Sequence, residues 1–116
     1  MKRTSIYVST SFTGFHCWPQ APEQVAFLRV LHRHRFGVKV QVAVTHSDRD
    51  VEFFILQADV NEYVRNVLQP TLAKKQSMSC EMMAEAIIDG LTLKKYLVRS
   101  VEVNEDGENG ALVEVA

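Results

Sequence analysis

The chain has only two cysteines in 116 residues, and none of its apolar runs approaches the ~20 residues that a membrane-spanning helix needs. Two cysteines are too few for the disulfide framework of a small secreted domain, so Cys17 and Cys80 are expected to be reduced thiols. The first ten residues include two basic side chains but no apolar segment typical of a secretory signal. These absences predict a cytoplasmic protein with no membrane partner.

The sequence also lacks an excess of charge of either sign. Thirteen Lys and Arg residues against fourteen Asp and Glu residues give a formal net charge of -1, which argues against nucleic acid as a partner. A hydrophobic fraction of 47% and a charged fraction of 23% are typical of a globular domain. The length predicts one domain spanning residues 1–116.

The most regular pattern in the chain lies in residues 31–44. From Phe36 to Val44 every second residue is apolar, which predicts a strand with one buried face. His32 and His34 have the same parity, so both imidazoles are expected on that inward face. Buried ring nitrogens need partners, and a shared metal ion would supply one.

Further strands are predicted at 6–15, 98–105 and 110–115, the last two joined by a turn at Asp106–Asn109. The apolar run at 51–56 could return as a hairpin partner of the second strand. The order strand, strand, helix, helix, strand, strand predicts an α+β fold with a four-stranded antiparallel sheet and two helices on one face. Apolar residues of both parities at 53–55 indicate that another subunit covers the remaining surface, so an oligomer is expected.

Two helices are expected between the second and third strands. Asp59 is the predicted N-cap of the first, and Pro70 its end. Ser79 is the predicted N-cap of the second, with Glu81 in its first turn favoured by the helix dipole. The predicted inner stripe of this second helix consists of Met82, Met83, Ala86, Ile87 and Leu91.

Two histidines at i and i+2 on a strand point the same way and can share one zinc ion. Alone, His32 and His34 are more often hydrogen-bonded histidines at a sheet edge than metal ligands. His16, at the end of the first strand, would complete the three-histidine arrangement with an open position that is typical of catalytic zinc. His46 lies in a polar turn and is expected to be solvated.

Several motifs together resemble one enzyme family. These are Phe12-x-x-x-His16-x-x-Pro19-x-x-Pro22-Glu23, Leu31-His32-Arg33-His34-x-Phe36, Ser79-x-Glu81, and Glu105 followed by Gly110-Ala111. They resemble the 6-pyruvoyl-tetrahydropterin synthase and 6-carboxytetrahydropterin synthase family, over about residues 12–115 and with the same order of elements. The family has a histidine after one strand, an L-H-G-H-aromatic motif opening the next, and a glutamate before a Gly-[AC] turn.

The resemblance implies a tunnelling fold, in which four-stranded sheets of several subunits form a β-barrel as a trimer or a hexamer of two stacked trimers. His16, His32 and His34 would hold Zn²⁺. Glu105 would anchor a pterin or purine ring, because a carboxylate can accept two parallel N–H bonds from its 2-amino-pyrimidinone edge. Glu81 would be a further ligand-binding residue. The implied activity is a zinc-dependent lyase acting on a dihydroneopterin-triphosphate-like substrate.

The chain departs from the family pattern at the residues that move protons. The usual cysteine is replaced by Leu28, and residues 67–78 contain neither the Asp nor the His of the family's Asp-His pair. Cys17 neighbours a presumed ligand and is the one weak catalytic candidate, although packing is its expected role. A non-catalytic oligomer that binds a purine or pterin nucleotide, for sequestration or sensing, is therefore the alternative function.

Overall fold

The computed structural model describes all 116 residues and shows an α+β fold, as predicted. Its sheet has four antiparallel strands in the order β1-β2-β3-β4. The strands are β1 (Ser5–His16), β2 (His32–Ala43), β3 (Val98–Glu105) and β4 (Asn109–Glu114). All four predicted strands are confirmed, with ends that differ by no more than two residues from the sequence pattern.

The helices lie between these strands in the chain. They are a 3₁₀ helix (Glu23–Arg29), α1 (Phe53–Tyr63), a π-helical turn (Val64–Leu68), α2 (Gln69–Lys75) and α3 (Cys80–Leu93). The segment from α1 through α2 occupies the place of the first predicted helix, and α3 that of the second. None of these helices combines the length and the apolar character that crossing a membrane requires.

One face of the sheet forms the hydrophobic core with the helices. In β2 the alternating residues Phe36, Val38, Val40 and Val42 are 0–2% exposed, whereas Lys39 between them is exposed. The helices cover this face with buried apolar residues: Leu56, Val60, Val64, Leu68, Leu72, Met83, Ala84, Ile87 and Leu91. The alternation in the sequence therefore identified the inward face correctly.

The prediction for residues 51–56 was wrong, because the run begins a helix instead of a hairpin strand. The Glu52 carboxylate accepts hydrogen bonds from the backbone N–H groups of Phe54 and Ile55, at 3.0 and 3.2 Å. Glu52 is thus the N-cap, seven residues before the predicted Asp59. Leu56 is fully buried while residues 53–55 are exposed, a pattern that fits one helix face and not a strand.

Pro70 does not end the helix, contrary to the prediction. Val64–Leu68, which precede Gln69 and Pro70, form a π-helical turn, in which the N–H of Gln69 bonds to the carbonyl of Val64. A proline removes one backbone donor and crowds the preceding turn, and a wider turn relieves that crowding. The helix continues to Lys75 and ends where Gln76 takes the left-handed conformation, with φ of 60°.

Ser79 caps α3 as predicted, and its side chain accepts a hydrogen bond from the N–H of Met82 at 3.1 Å. The predicted inner stripe was partly wrong, because Met82 is 54% exposed. Cys80 and Ala84 are buried on the inner face instead, with Met83, Ile87 and Leu91.

Gly110 allows β3 and β4 to approach closely. It pairs with Asn104, and a Cβ atom there would lie 2.4 Å from the carbonyl oxygen of Val103. Because that neighbour is backbone, the strands would have to shift, and we expect Gly110→Ala to lower the free energy of unfolding by about 1–3 kcal/mol. Urea denaturation measures the change. Gly107→Asn is the matched control, since φ there is +73°, asparagine tolerates it, and no atom lies within 4 Å of an added Cβ. Equal stability of the two variants would contradict the expectation.

Candidate metal centre

Three histidines converge at one end of the sheet, on its core-facing side. His16 ends β1 and is the direct cross-strand partner of His32, which begins β2. His34 follows two residues later on the same face, and the three ring centroids are 4.6–5.3 Å apart. One ring nitrogen from each lies within 4.8 Å of the others. The pairing of β1 with β2 therefore brings together the residues that the sequence pattern placed on one face.

The Nδ1 atoms of His16 and His32 are fixed by backbone carbonyls. His16 Nδ1 lies 2.9 Å from the oxygen of Met78, and His32 Nδ1 lies 2.9 Å from the oxygen of Val30. A carbonyl oxygen can only accept, so each Nδ1 must have the hydrogen and donate it. In the neutral imidazole, the proton on Nδ1 leaves a lone pair on Nε2.

His34 is fixed by a carboxylate instead. Its Nδ1 lies 2.7 Å from Asp106 Oδ2, and Asp106 Oδ1 accepts a hydrogen bond from the N–H of Arg35 at 2.8 Å. The hydrogen bond from Arg35 and then that from His34 lower the pKa of Asp106, so the carboxylate is ionised. A carboxylate that orients a histidine in this way is a common partner of metal ligands.

The Nε2 atoms of all three histidines are buried and have no hydrogen-bond partner in the protein. Buried polar atoms in folded proteins are nearly always paired, so three orphaned atoms in one place need a physical reason. Three lone pairs that converge repel one another unless a cation lies among them. Neutral imidazole is a standard zinc ligand, and three of them are typical of catalytic zinc. The donor set therefore fits Zn²⁺.

Glu105, at the end of β3, lies against this cluster. Its Oε2 is 3.1 Å from His16 Nε2, and its Oε1 is 3.6 Å from His34 Nε2. Its side chain is 30% exposed. Glu105 has the parity of the buried residues Val101 and Val103, which is why a strand-end carboxylate faces the core side.

A cavity of about 410 Å³ opens beside the cluster. Its lining includes His16, His32, Glu105, Glu81 and Leu28. Glu81 is exposed in the first turn of α3, so both carboxylates that the family resemblance implies for ligand binding face one cavity. Leu28 contributes apolar surface to the same cavity.

Both cysteines line the same cavity. Cys17 is half-buried, and its backbone N–H donates to the carbonyl of Gln76. Cys80 was expected only to be a reduced thiol, yet its Sγ donates to Glu105 Oε2 at 3.9 Å. Burial, and then the charge of Glu105, raise the pKa of Cys80 to about 12, so the thiol is protonated near neutral pH and is a poor nucleophile.

Asp106 is the second site residue that the sequence analysis missed, having assigned it only to the hairpin turn. Its backbone is left-handed, with φ of 58°, and its carboxylate contacts His34 and Arg35 of β2. The sequence did not predict this conformation. His46 lies outside the cluster, exposed and 3.6 Å from Asp50, in agreement with its predicted place in a polar turn.

Comparison with known proteins gives no family for this chain. No protein-family model matches it, and none of the curated proteins matches it either. A function for the chain therefore has to be argued from the chemistry of its own site.

Asp106→Asn is expected to weaken zinc binding by about 10- to 100-fold, as is typical for residues that orient metal ligands. If the Asn oxygen keeps the hydrogen bond from Arg35, its NH₂ group faces His34 Nδ1. The imidazole would then have its proton on Nε2, where it blocks the metal. Competition with a chromophoric chelator measures the affinity. Glu108→Gln, in the same turn, is the control and should bind zinc as the wild type does. Equal affinity of both variants would show that Asp106 does not orient His34.

Proposed function

We propose that this chain is a zinc-dependent protein related in function to the 6-pyruvoyl-tetrahydropterin and 6-carboxytetrahydropterin synthases. In this proposal it is a lyase that acts on a dihydroneopterin-triphosphate-like substrate. The supporting observation is the set of three buried Nε2 atoms of His16, His32 and His34, which have no hydrogen-bond partner and converge beside a cavity. Such a set has a clear use only when a cation binds there.

The cavity has a suitable size and chemistry for a bicyclic ring. Its volume of about 410 Å³ is within the usual range for small-molecule sites. Trp18 and Leu28 supply apolar wall, while Glu105 and Glu81 supply carboxylates that can accept N–H bonds from the ring edge. A bound zinc ion would supply a Lewis acid that polarises a hydroxyl or carbonyl oxygen of the substrate.

The proposal includes a cytoplasmic homo-oligomer with the tunnelling fold. In the single chain, β1 and β4 each have one edge without a neighbouring strand. Free edges of this length are normally paired or covered. Exposed apolar side chains such as Tyr7 on β1 and Leu112 on β4 are consistent with a subunit interface at these strands. Light scattering after gel filtration should give three or six times the 13.2 kDa chain mass.

A non-catalytic binding protein is the second candidate. The observation that favours it is the cavity lining, where Leu28 occupies the position of the family's cysteine and cannot transfer a proton. In this case the site would hold a pterin or purine nucleotide without converting it.

One set of measurements tests both candidates. Purified protein should contain one zinc per chain, and His46→Ala should retain it, because His46 lies outside the cluster. Incubation with dihydroneopterin triphosphate, followed by absorbance, should show turnover if the chain is a lyase. If the protein contains one zinc per chain and binds a pterin tightly but shows no turnover, the lyase is rejected and the non-catalytic binding protein is supported. Absence of zinc binding would overturn both.

A further inference from the structure

We propose that Glu105 is a fourth ligand of the ion held by the three histidines. Its carboxylate occupies the open position of the metal when no small molecule is bound in the cavity. This inference rests on the proposed zinc site and assigns Glu105 a second role besides ring binding. It predicts four protein ligands, three imidazoles and one carboxylate, in place of three ligands and an open position.

The distances are those between neighbouring atoms of one coordination sphere. Zinc–nitrogen and zinc–oxygen bonds of about 2.0–2.1 Å put adjacent ligand atoms of a tetrahedral site roughly 3.3–3.5 Å apart. Glu105 Oε2 lies 3.1 Å from His16 Nε2, and Oε1 lies 3.6 Å from His34 Nε2. Each carboxylate oxygen therefore lies close to ligand-to-ligand distance from one histidine, Oε2 from His16 and Oε1 from His34.

A direct ion pair between a protonated His16 and Glu105 explains this geometry less well. At 3.1 Å the two atoms are close enough for a hydrogen bond, yet His16 Nε2 has no hydrogen-bond partner. A hydrogen on Nε2 aimed at the carboxylate would form a hydrogen bond at this distance, and none is formed. An ion shared by both atoms accounts for the short distance, since neighbouring ligands bind a metal from different directions.

The charge of Glu105 also lacks another partner. No Lys or Arg side chain forms an ion pair with it. The hydrogen bond that its side chain accepts comes from the Cys80 thiol, which is a weak donor and lies 3.9 Å from Oε2. A partly buried carboxylate without a cation is costly, and a divalent ion at the histidine cluster would compensate it.

The same two oxygen atoms would be needed to bind a pterin ring edge. Ring binding and metal ligation therefore compete for Glu105, and a bound ring would have to draw the carboxylate away from the ion. Ligand binding in the cavity and an open metal position are coupled in this arrangement.

Zinc affinity and the cobalt spectrum test the assignment. Competition with a chelator should show that Glu105→Gln binds zinc about 100-fold more weakly than the wild type. This loss of affinity is at the upper end of the losses seen when residues that orient metal ligands are replaced. The visible absorption of the Co²⁺-loaded protein should also change. Glu108→Gln is the matched control, because it removes an exposed carboxylate from the adjacent β3–β4 turn but not from the cluster, and its zinc affinity and cobalt spectrum should match those of the wild type.

The outcomes separate this inference from the proposed function. If the wild type binds no metal, the proposed function fails, and this inference fails with it. If the wild type binds one zinc and Glu105→Gln binds it equally well, with an unchanged cobalt spectrum, the three-histidine site stands and Glu105 is not a ligand. Circular dichroism of each metal-free variant shows whether it is folded. Glu105→Ala serves as a second variant, because it removes the carboxylate without introducing the amide oxygen of glutamine.

Discussion

His32→Ala is expected to lower the zinc affinity of the chain by roughly 100- to 1,000-fold. Four-ligand zinc sites bind with about 10–16 kcal/mol, so each ligand contributes about 2.5–4 kcal/mol. His32 suits this test because its Nδ1 bonds only to the nearby Val30 carbonyl and its ring is half-buried, so the metal-free fold should change little. Isothermal titration or chelator competition measures the affinity.

The same variant should lose the thermal stabilisation that zinc gives the wild type. A ligand present at 1,000 times its dissociation constant stabilises the folded state by about 4 kcal/mol, and this difference is visible as a shift in Tm between zinc and EDTA. His46→Ala, which removes an exposed histidine outside the cluster, should keep the full shift. A zinc-dependent shift of equal size in His32→Ala would mean that the three imidazoles do not share an ion.

Phe36→Ala is expected to cost about 3–5 kcal/mol of the free energy of unfolding, out of the roughly 5–15 kcal/mol typical of a domain. Phe36 is fully buried. Its ring stacks on Phe12 at 5.3 Å between centroids and meets His16 and His34 edge-on at 5.1 and 5.6 Å. The lost ring leaves a cavity beneath two of the proposed ligands, so zinc affinity should fall as well.

Urea denaturation of metal-free protein isolates the packing effect from the metal effect. Phe36→Leu should lose less than half as much stability, because it keeps most of the apolar volume. Leu93→Ala should be nearly neutral, since Leu93 is 82% exposed at the end of α3. If Phe36→Ala were as stable as Leu93→Ala, the site would not depend on the aromatic packing below it.

The features that the sequence predicted well depend on strict alternation along a strand. The parity of Phe36 through Val42 identified the buried face, and the same parity placed His32 and His34 there. His16 joins them because β1 and β2 pair antiparallel, which sets it opposite His32. Residues 17–31 separate the two strands, so the sequence indicated the three histidines but not the register that pairs His16 with His32.

The errors lie where tertiary packing decides between local alternatives. Residues 51–56 are apolar on both parities, so the run suits a strand or a buried helix turn, and Leu56 in the core settles it as a helix. A π-helical turn accommodates Pro70, and nothing in the local sequence indicates such a turn. Asp106 reaches His34 through a left-handed turn conformation, which residue type alone does not reveal.

The three Nδ1 anchors belong to three different connections of the chain. Met78 lies between α2 and α3, Val30 follows the 3₁₀ helix, and Asp106 lies in the β3–β4 turn. A single cation would thus cross-link these connections at one pole of the molecule. The opposite pole, where Ser5 pairs with Ala43, has no such tie. Removal of the ion by a chelator should therefore speed amide hydrogen exchange at the end of the sheet that contains the histidines, and leave the exchange rates at the opposite end unchanged. The metal would thus stabilise one end of the domain selectively.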